Sequence, residues 1–203
     1  MDRGYEMRVG IFILGIILAF SASASAQGPA GVGADGGGYF SGHHQNDPWQ
    51  AAFAYQYNRD NLLGSPFNTH GLNVTVTRFF GRWIGVEAQV GTGFFGTTGQ
   101  TTIPPSLSVK SVFFGAGPRL ALRTGSRFEP WIHVVVGMEH YRFSQTAGLL
   151  GSNNALAGEA GVGMDVYLRP HLAVRGEAGF IGSRFFSTNQ RSFQVLGGVV
   201  FGF

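Results

Sequence analysis

Glu87, Arg119, Glu139, Glu159, Asp165, Arg175 and Glu177 carry most of the charge in the middle of this chain, and they share a spacing. Each falls in the polar phase of a segment in which polar and apolar residues alternate with period two. Carboxylates and guanidiniums gathered on one face of a sheet either pair with one another or line a path for ions. Pairing is the ordinary outcome, because removing one partner of a buried pair costs about 3–5 kcal/mol. Arg119 and Arg175 are therefore expected to pair with Glu87, Glu139, Glu159 or Glu177. A narrow ion-conducting channel is the sharper alternative.

Two further groups have side chains of a reactive type. A hydrolase needs a nucleophile, a base and an orienting acid that converge. Glu139, His140 and Ser144 are close in sequence, but consecutive residues of a strand point to opposite faces, which separates Glu139 from His140. No catalytic residue is assigned, and a lipid A-modifying enzyme stays as an alternative. His43, His44 and Asp47 have the types of metal ligands, yet their Gly-rich flank offers no preorganisation, so they read as part of a solvated linker. With no Cys in the chain a thiolate site is excluded, and neither a metal nor a cofactor is expected. His133 should hydrogen-bond a carboxylate of its own phase, while His70 and His171 fall at segment boundaries.

The elements that must position these residues are strands. From Trp49 onward eight alternating segments can be counted, at 49–58, 72–80, 84–94, 108–121, 131–143, 155–168, 172–181 and 191–203. In the first, Trp49, Phe53, Tyr55 and Tyr57 oppose Gln50, Ala52, Ala54 and Gln56; in the second, Leu72, Val74 and Val76 oppose Asn73, Thr75 and Thr77. Segments of this length suit a tilted strand that crosses a bilayer. Tight connections at 81–82, 124–126 and 169–170 alternate with longer polar ones at 59–70, 95–107, 144–154 and 182–190, which are expected to be loops. The fold class that follows is all-β, an eight-stranded antiparallel up-and-down transmembrane β-barrel, closed because strands in lipid can leave no backbone group unpaired.

Period two alone does not say which face is inside, since a soluble barrel with its apolar face inward alternates too; the placement of the charges, with the signal sequence, the aromatic residues near segment ends and the loop asymmetry, favours lipid outside. The charges share their phase with glycines such as Gly85, Gly115, Gly137 and Gly161, while the other phase holds Val134, Val136, Met138 and Phe180. Lipid outside and charge inside is the arrangement of membrane barrels. Aromatic residues near segment ends (Trp49, Tyr57, Phe94, Tyr141, Phe193, Phe203) are expected to form the interfacial belts. Lys110, His140, Arg142 and Arg191 lie in the lipid-facing phase at the outer ends of their segments, where a long cationic side chain reaches the headgroup layer. Lipopolysaccharide phosphates would be natural counter-ions there, with simple snorkelling as the plainer reading.

Composition agrees with export. Only 12% of the residues are charged, while 33 are Gly and 19 Phe, a balance foreign to soluble globules. The net charge of +3 is not gathered into a Lys/Arg run, so nucleic acid is not an expected partner. Arg3 and Arg8 precede the apolar run 11–20 and the small residues up to Ala26, the pattern of a cleaved signal peptide over 1–26. Asp2 and Glu6 are unusual there, which leaves the start open between Met1 and Met7. Residues 27–48 read as a Gly-rich periplasmic segment and 49–203 as the barrel.

The last strand, Val195-Leu196-Gly197-Gly198-Val199-Val200-Phe201-Gly202-Phe203, resembles the terminal strand of outer-membrane proteins, and the run 113–119 followed by 126–131 looks like the fourth strand, turn and fifth strand of the small OmpA-like outer-membrane β-barrel family. The resemblance covers about 49–203. It implies a Gram-negative outer-membrane location, an assembly signal at Phe201 and Phe203 read by the barrel-assembly machinery, contact with outer-membrane lipid and lipopolysaccharide, and a monomer. It also implies a role in envelope structure or surface interaction, through outer loops that carry aromatics such as Phe67, Phe185 and Phe186. A wall-binding periplasmic domain is not expected after the last strand.

Overall fold

The computed structural model describes residues 43–62, 65–95, 107–145, 148–185 and 188–203. Residues 1–26 and most of 27–48 therefore lie outside it. After a single 3-10 turn at His43–Asn46 come eight strands: β1 (Trp49–Leu62), β2 (Ser65–Phe79), β3 (Ile84–Phe95), β4 (Leu107–Ala121), β5 (Phe128–Gln145), β6 (Gly148–Arg169), β7 (Leu172–Phe185) and β8 (Thr188–Gly202). Each pairs antiparallel with its neighbours, and β1 pairs with β8 from Gln50↔Gly202 to Arg59↔Phe193, which closes the barrel. No sheet edge is left over.

Side-chain phase sorts polar from apolar residues. The alternate residues Gln50, Ala52, Ala54, Gln56, Asn58 and Asp60 of β1 are buried in the lumen, whereas Phe53 and Tyr55 are exposed. The outward face carries Leu72, Val86, Phe114, Val136, Leu156 and Phe180, all at least two-fifths exposed. No helix among the described residues is long and apolar enough to cross a membrane. One aromatic departs from expectation. Tyr141 is only 4% exposed and points into the lumen, because it shares the phase of Glu139.

The two ends of the barrel differ. One, here called proximal, carries Trp49, Phe203 and the turns at 80–83, 122–127 and Pro170-His171. Gly125 takes a left-handed φ of 81° in the second of these turns, a conformation that glycine adopts without steric cost. At the distal end three of the four stretches expected as loops are mostly strand. β1 and β2 stay paired to Leu62↔Ser65, β5 and β6 to Gln145↔Gly148, and β7 and β8 to Phe185↔Thr188. β6 reaches 22 residues, about twice what a tilted strand needs to cross a bilayer. Above the bilayer both faces of a strand meet water, so the sequence loses its period-two signal while backbone pairing continues. The fourth stretch contains 96–106, outside the described residues.

Candidate functional site

The lumen is built in tiers, each from residues of the same phase on several strands. Nearest the proximal end, Glu129 on β5 accepts hydrogen bonds from Gln50 Nε2 (3.1 Å) and Arg123 Nε (3.3 Å), and Gln50 also reaches the Tyr167 hydroxyl at 2.7 Å. The 3-10 turn docks against this tier. His44 stacks on Tyr167 with ring centroids 3.8 Å apart, and its carbonyl accepts a hydrogen bond from Arg123 Nη2. Asp47 Oδ2 lies 2.8 Å from His171 Nδ1. The solvated linker expected around His44 and Asp47 is thus a docked segment, because Tyr167 supplies an aromatic face and Arg123 a donor that local sequence could not reveal. Burial, followed by the charge of Arg123, pulls the His44 imidazole down to about 4. Glu129 Oε2 at 3.9 Å is too far away for a hydrogen bond that would oppose this.

The next tier centres on Asp165. Its Oδ2 accepts from Arg119 Nη2 (2.9 Å) and Arg175 Nη2 (2.8 Å), and its Oδ1 from Arg175 Nε (2.8 Å) and Trp131 Nε1 (3.1 Å). Both guanidiniums lie against the Trp131 ring, at 4.0 and 4.7 Å from its centroid. Arg119 also donates to Glu87 Oε2 at 2.8 Å, and Arg175 to Thr75 Oγ1 at 3.1 Å. The shared partner is therefore Asp165, which corrects the expected pairing of Arg175 with a glutamate. Asp165 stands directly opposite Arg175 in the β6–β7 register, and its side chain is short enough to present a bidentate edge to the fork.

Above this lies a tier with His133, Glu159 and Glu177. His133 Nδ1 is 2.6 Å from Glu87 Oε1, as its phase suggested. Its Nε2 is 3.6 Å from Glu159 Oε1 and 3.4 Å from Glu177 Oε1. Gln89 and Gln194 donate to the two oxygens of Glu159. Furthest out, Glu139, Tyr141 and Asp60 are buried, and Thr69 Oγ1 donates to Asp60 Oδ2 at 2.9 Å. All seven charged residues singled out in the sequence thus lie inside the barrel. Sequence reasoning missed Arg123, Glu129 and Asp60 as members, although each has the luminal parity of its strand or of the turn that extends it.

Glu87, Arg119 and Asp165 are each 0% exposed. A wet pore at their level would leave them solvated, so side chains fill the lumen there. Outside, His140 and Arg142 are half-buried and Lys110 and Arg191 exposed, all in the outward phase toward the distal end. Lys110 stands opposite Arg142 across β4 and β5. Arg59 and Arg191 flank Phe180 and Phe193 in a groove on the outer wall. His140 Nδ1 lies 2.6 Å from Asn154 Oδ1, away from the luminal Glu139. His70 is not at a strand end but within β2, bonded to the Tyr55 hydroxyl. At the last strand, Phe201 and Phe203 point outward, and Phe203 and Trp49 exchange backbone hydrogen bonds at 3.0 Å. The side chains of Phe67, Phe185 and Phe186 lie outside the described residues.

Comparison with known proteins adds the following. The family model described as outer membrane protein beta-barrel domain matches residues 12–201. Among solved structures the chain is similar to Neisserial surface protein A, with a TM-score of 0.65 and 11% identity over 77% of this chain and 97% of that one. It is also similar to Ail, the attachment invasion locus protein of Yersinia pestis, with a TM-score of 0.53 and 16% identity over 75% and 97%. At these identities the likeness is one of fold. No curated protein matches the chain in sequence.

Proposed function

The chain belongs to the outer membrane protein beta-barrel family, and on that premise we propose that it is a non-enzymatic barrel that works at its distal end, holding lipopolysaccharide and presenting its hairpins to the surroundings. The proximal turns and chain ends then face the periplasm and the prolonged hairpins face outward, as in barrels of this kind. The observation that carries the reading is the division of charge. At the level of Glu87, Arg119, Asp165 and Arg175 the lumen is filled by paired ions, so the outer rim is the part left open to a partner from outside. There Arg59, Lys110, Arg184 and Arg191 are exposed, and no acidic side chain is exposed among the described residues. Cations at the ends of lipid-facing strands escape the cost of about 2–4 kcal/mol that they would pay at midplane, and they meet phosphates in the headgroup layer. The names of the two similar structures, a surface protein and an attachment protein, point the same way.

Two results would test this together. Purified barrel should retain lipopolysaccharide, and Lys110→Ala combined with Arg142→Ala and Arg191→Ala should release most of it while the fold persists. In planar bilayers the protein should pass negligible current, and it should free no fatty acid from outer-membrane lipid. Undiminished retention in the triple variant would remove the rim from the account. Steady conductance or fatty-acid release would favour a channel or an enzyme instead.

A further inference from the structure

In the tier that contains His133, titratable side chains converge with buried polar atoms that do not satisfy each other. His133 Nε2 and Glu177 Oε1 are both buried and lack hydrogen-bond partners, and each belongs to a residue at most 5% exposed. They lie 3.4 Å apart, and His133 Nε2 is 3.6 Å from Glu159 Oε1. These are poor hydrogen-bond lengths. They are close to the edge of a tetrahedron of ligands set at the 2.0–2.2 Å of zinc–nitrogen and zinc–oxygen bonds, about 3.4 Å. One ligand atom from each of the three residues falls within 4.8 Å of the other two.

The surroundings support the same conclusion. Glu87 Oε1 lies 2.6 Å from His133 Nδ1, and since a carboxylate only accepts, Nδ1 carries a proton, which makes Nε2, turned toward the two glutamates, the ring nitrogen that an ion would take in place of a proton. A carboxylate behind a histidine in this way fixes the tautomer and raises the basicity of a metal-binding imidazole. Gly161, opposite His133 on β6, leaves the space; a Cβ there would press on His133 Nε2 and come within 3.2 Å of Glu177 Oε1. Gln194 donates Nε2 to Glu159 and leaves its Oε1 buried and unpartnered; turning the amide would offer that oxygen to an ion at the expense of the bond to Glu159. Charge balance agrees as well. Among the described residues eight buried carboxylates (Asp47, Asp60, Glu87, Glu129, Glu139, Glu159, Asp165, Glu177) face three buried guanidiniums (Arg119, Arg123, Arg175).

We propose that His133, Glu159 and Glu177 bind a divalent transition-metal ion, with Zn2+ the best fit, as an internal staple that joins β5, β6 and β7. This is independent of what the outer rim binds. Because the His133 side chain is fully enclosed, the ion is captured as the barrel closes. The test uses the full mature chain, unfolded in urea and refolded into detergent micelles with Zn2+, then stripped of free ion with a chelator. Elemental analysis should find one zinc per barrel, and Co2+ in its place should give the intense visible bands of tetrahedral coordination. Glu177→Gln and His133→Gln should lose the ion, and Glu87→Gln should weaken binding by about 10- to 100-fold. Glu139→Gln, luminal but outside the site, should keep it. Heat-modifiable migration on gels reports folding for each variant. Wild-type barrel that folds with no bound zinc and no tetrahedral cobalt spectrum overturns the proposal, as does equal retention in folded Glu177→Gln. Should the site variants fail to fold, wild-type stoichiometry and the cobalt spectrum decide alone.

Discussion

Replacing Asp165 by asparagine should destabilise the barrel more than any rim substitution. Asp165 accepts three guanidinium N–H groups and one indole N–H, and it is fully buried. In the variant one oxygen still accepts, while the new amide faces a guanidinium that can only donate. With the remaining oxygen in the Oδ1 position, Trp131 Nε1 and Arg175 Nε keep their acceptor while the Nη2 groups of Arg119 and Arg175 lose theirs; Arg119 still has Glu87, and Arg175 the Thr75 hydroxyl. Two charge-assisted bonds are lost, at about 1.5–3 kcal/mol each, and the sum overlaps the cost of about 3–5 kcal/mol for orphaning one member of a buried ion pair. Urea unfolding in phospholipid vesicles, followed by tryptophan emission and gel mobility, measures the difference. Adding Arg175→Met to Asp165→Asn should bring a partial recovery, because the buried guanidinium charge is then removed. A loss below about 1 kcal/mol, the level of a surface pair, would mean that the lumen is wetter than described, and the case against a pore would fall with it.

Other consequences can be measured on the same protein. Since the folded protein holds the His44 imidazole down to about 4 against an ordinary 6.5, the unfolded chain binds the extra proton between those values. Docking of the 3-10 turn should therefore be complete above pH 6.5 and weaken as pH falls toward 4; a His44 NMR titration with a midpoint near 6.5 in the folded barrel would contradict this. Gly176→Ala should stabilise by about 0.5–1 kcal/mol, because nothing lies within 4 Å of the added methyl. Gly117→Ala should cost about 1–3 kcal/mol, because its Cβ would run into the Val134 carbonyl and come within 2.9 Å of the Val135 Cα. Urea midpoints that fail to separate these two glycines would show that strand spacing around β4 and β5 yields more readily than the close approach implies.

The faces of the strands were legible because lipid enforces a two-letter code. Wherever one face meets hydrocarbon and the other a polar lumen, parity alone assigns Glu87 and Arg119 inward and Val86 and Leu120 outward, as observed. The code fails in two physical situations. Beyond the bilayer both faces are wet, so the strand pairing from Arg59↔Asn68 to Leu62↔Ser65 has no apolar phase to announce it. Inside the lumen parity places a residue in the interior but says nothing of its partner. Asp165 rather than a glutamate joins Arg119 and Arg175, and that depends on the stagger of β4, β6 and β7 around the closed barrel. The docking of His44 on Tyr167 belongs to the same class, being a contact across 123 positions of chain.

The sign of charge follows the same division, and more strictly than parity requires. Every acidic residue from Asp47 onward is buried, whereas Arg59, Arg78, Arg82, Lys110, Arg127, Arg169, Arg184 and Arg191 are exposed. A long cationic side chain on the outer wall can extend its head to the interface and meet phosphate there, with its stem against lipid. An aspartate or glutamate has a shorter reach and would meet a like charge in an anionic headgroup layer, so the outer wall selects against it. The lumen has the opposite bias. Two guanidiniums, Arg119 and Arg175, hold the Asp165 tier together and Arg123 bonds Glu129, and the carboxylates in excess must be neutralised by protons, by hydrogen bonds such as those from Gln89 and Gln194 to Glu159, or by a bound cation. The surplus includes Glu159 and Glu177, toward which His133 turns its Nε2 without a hydrogen bond to either. The exclusion of acids from the lipid face thus concentrates negative charge in the lumen, including the level at which His133, Glu159 and Glu177 converge.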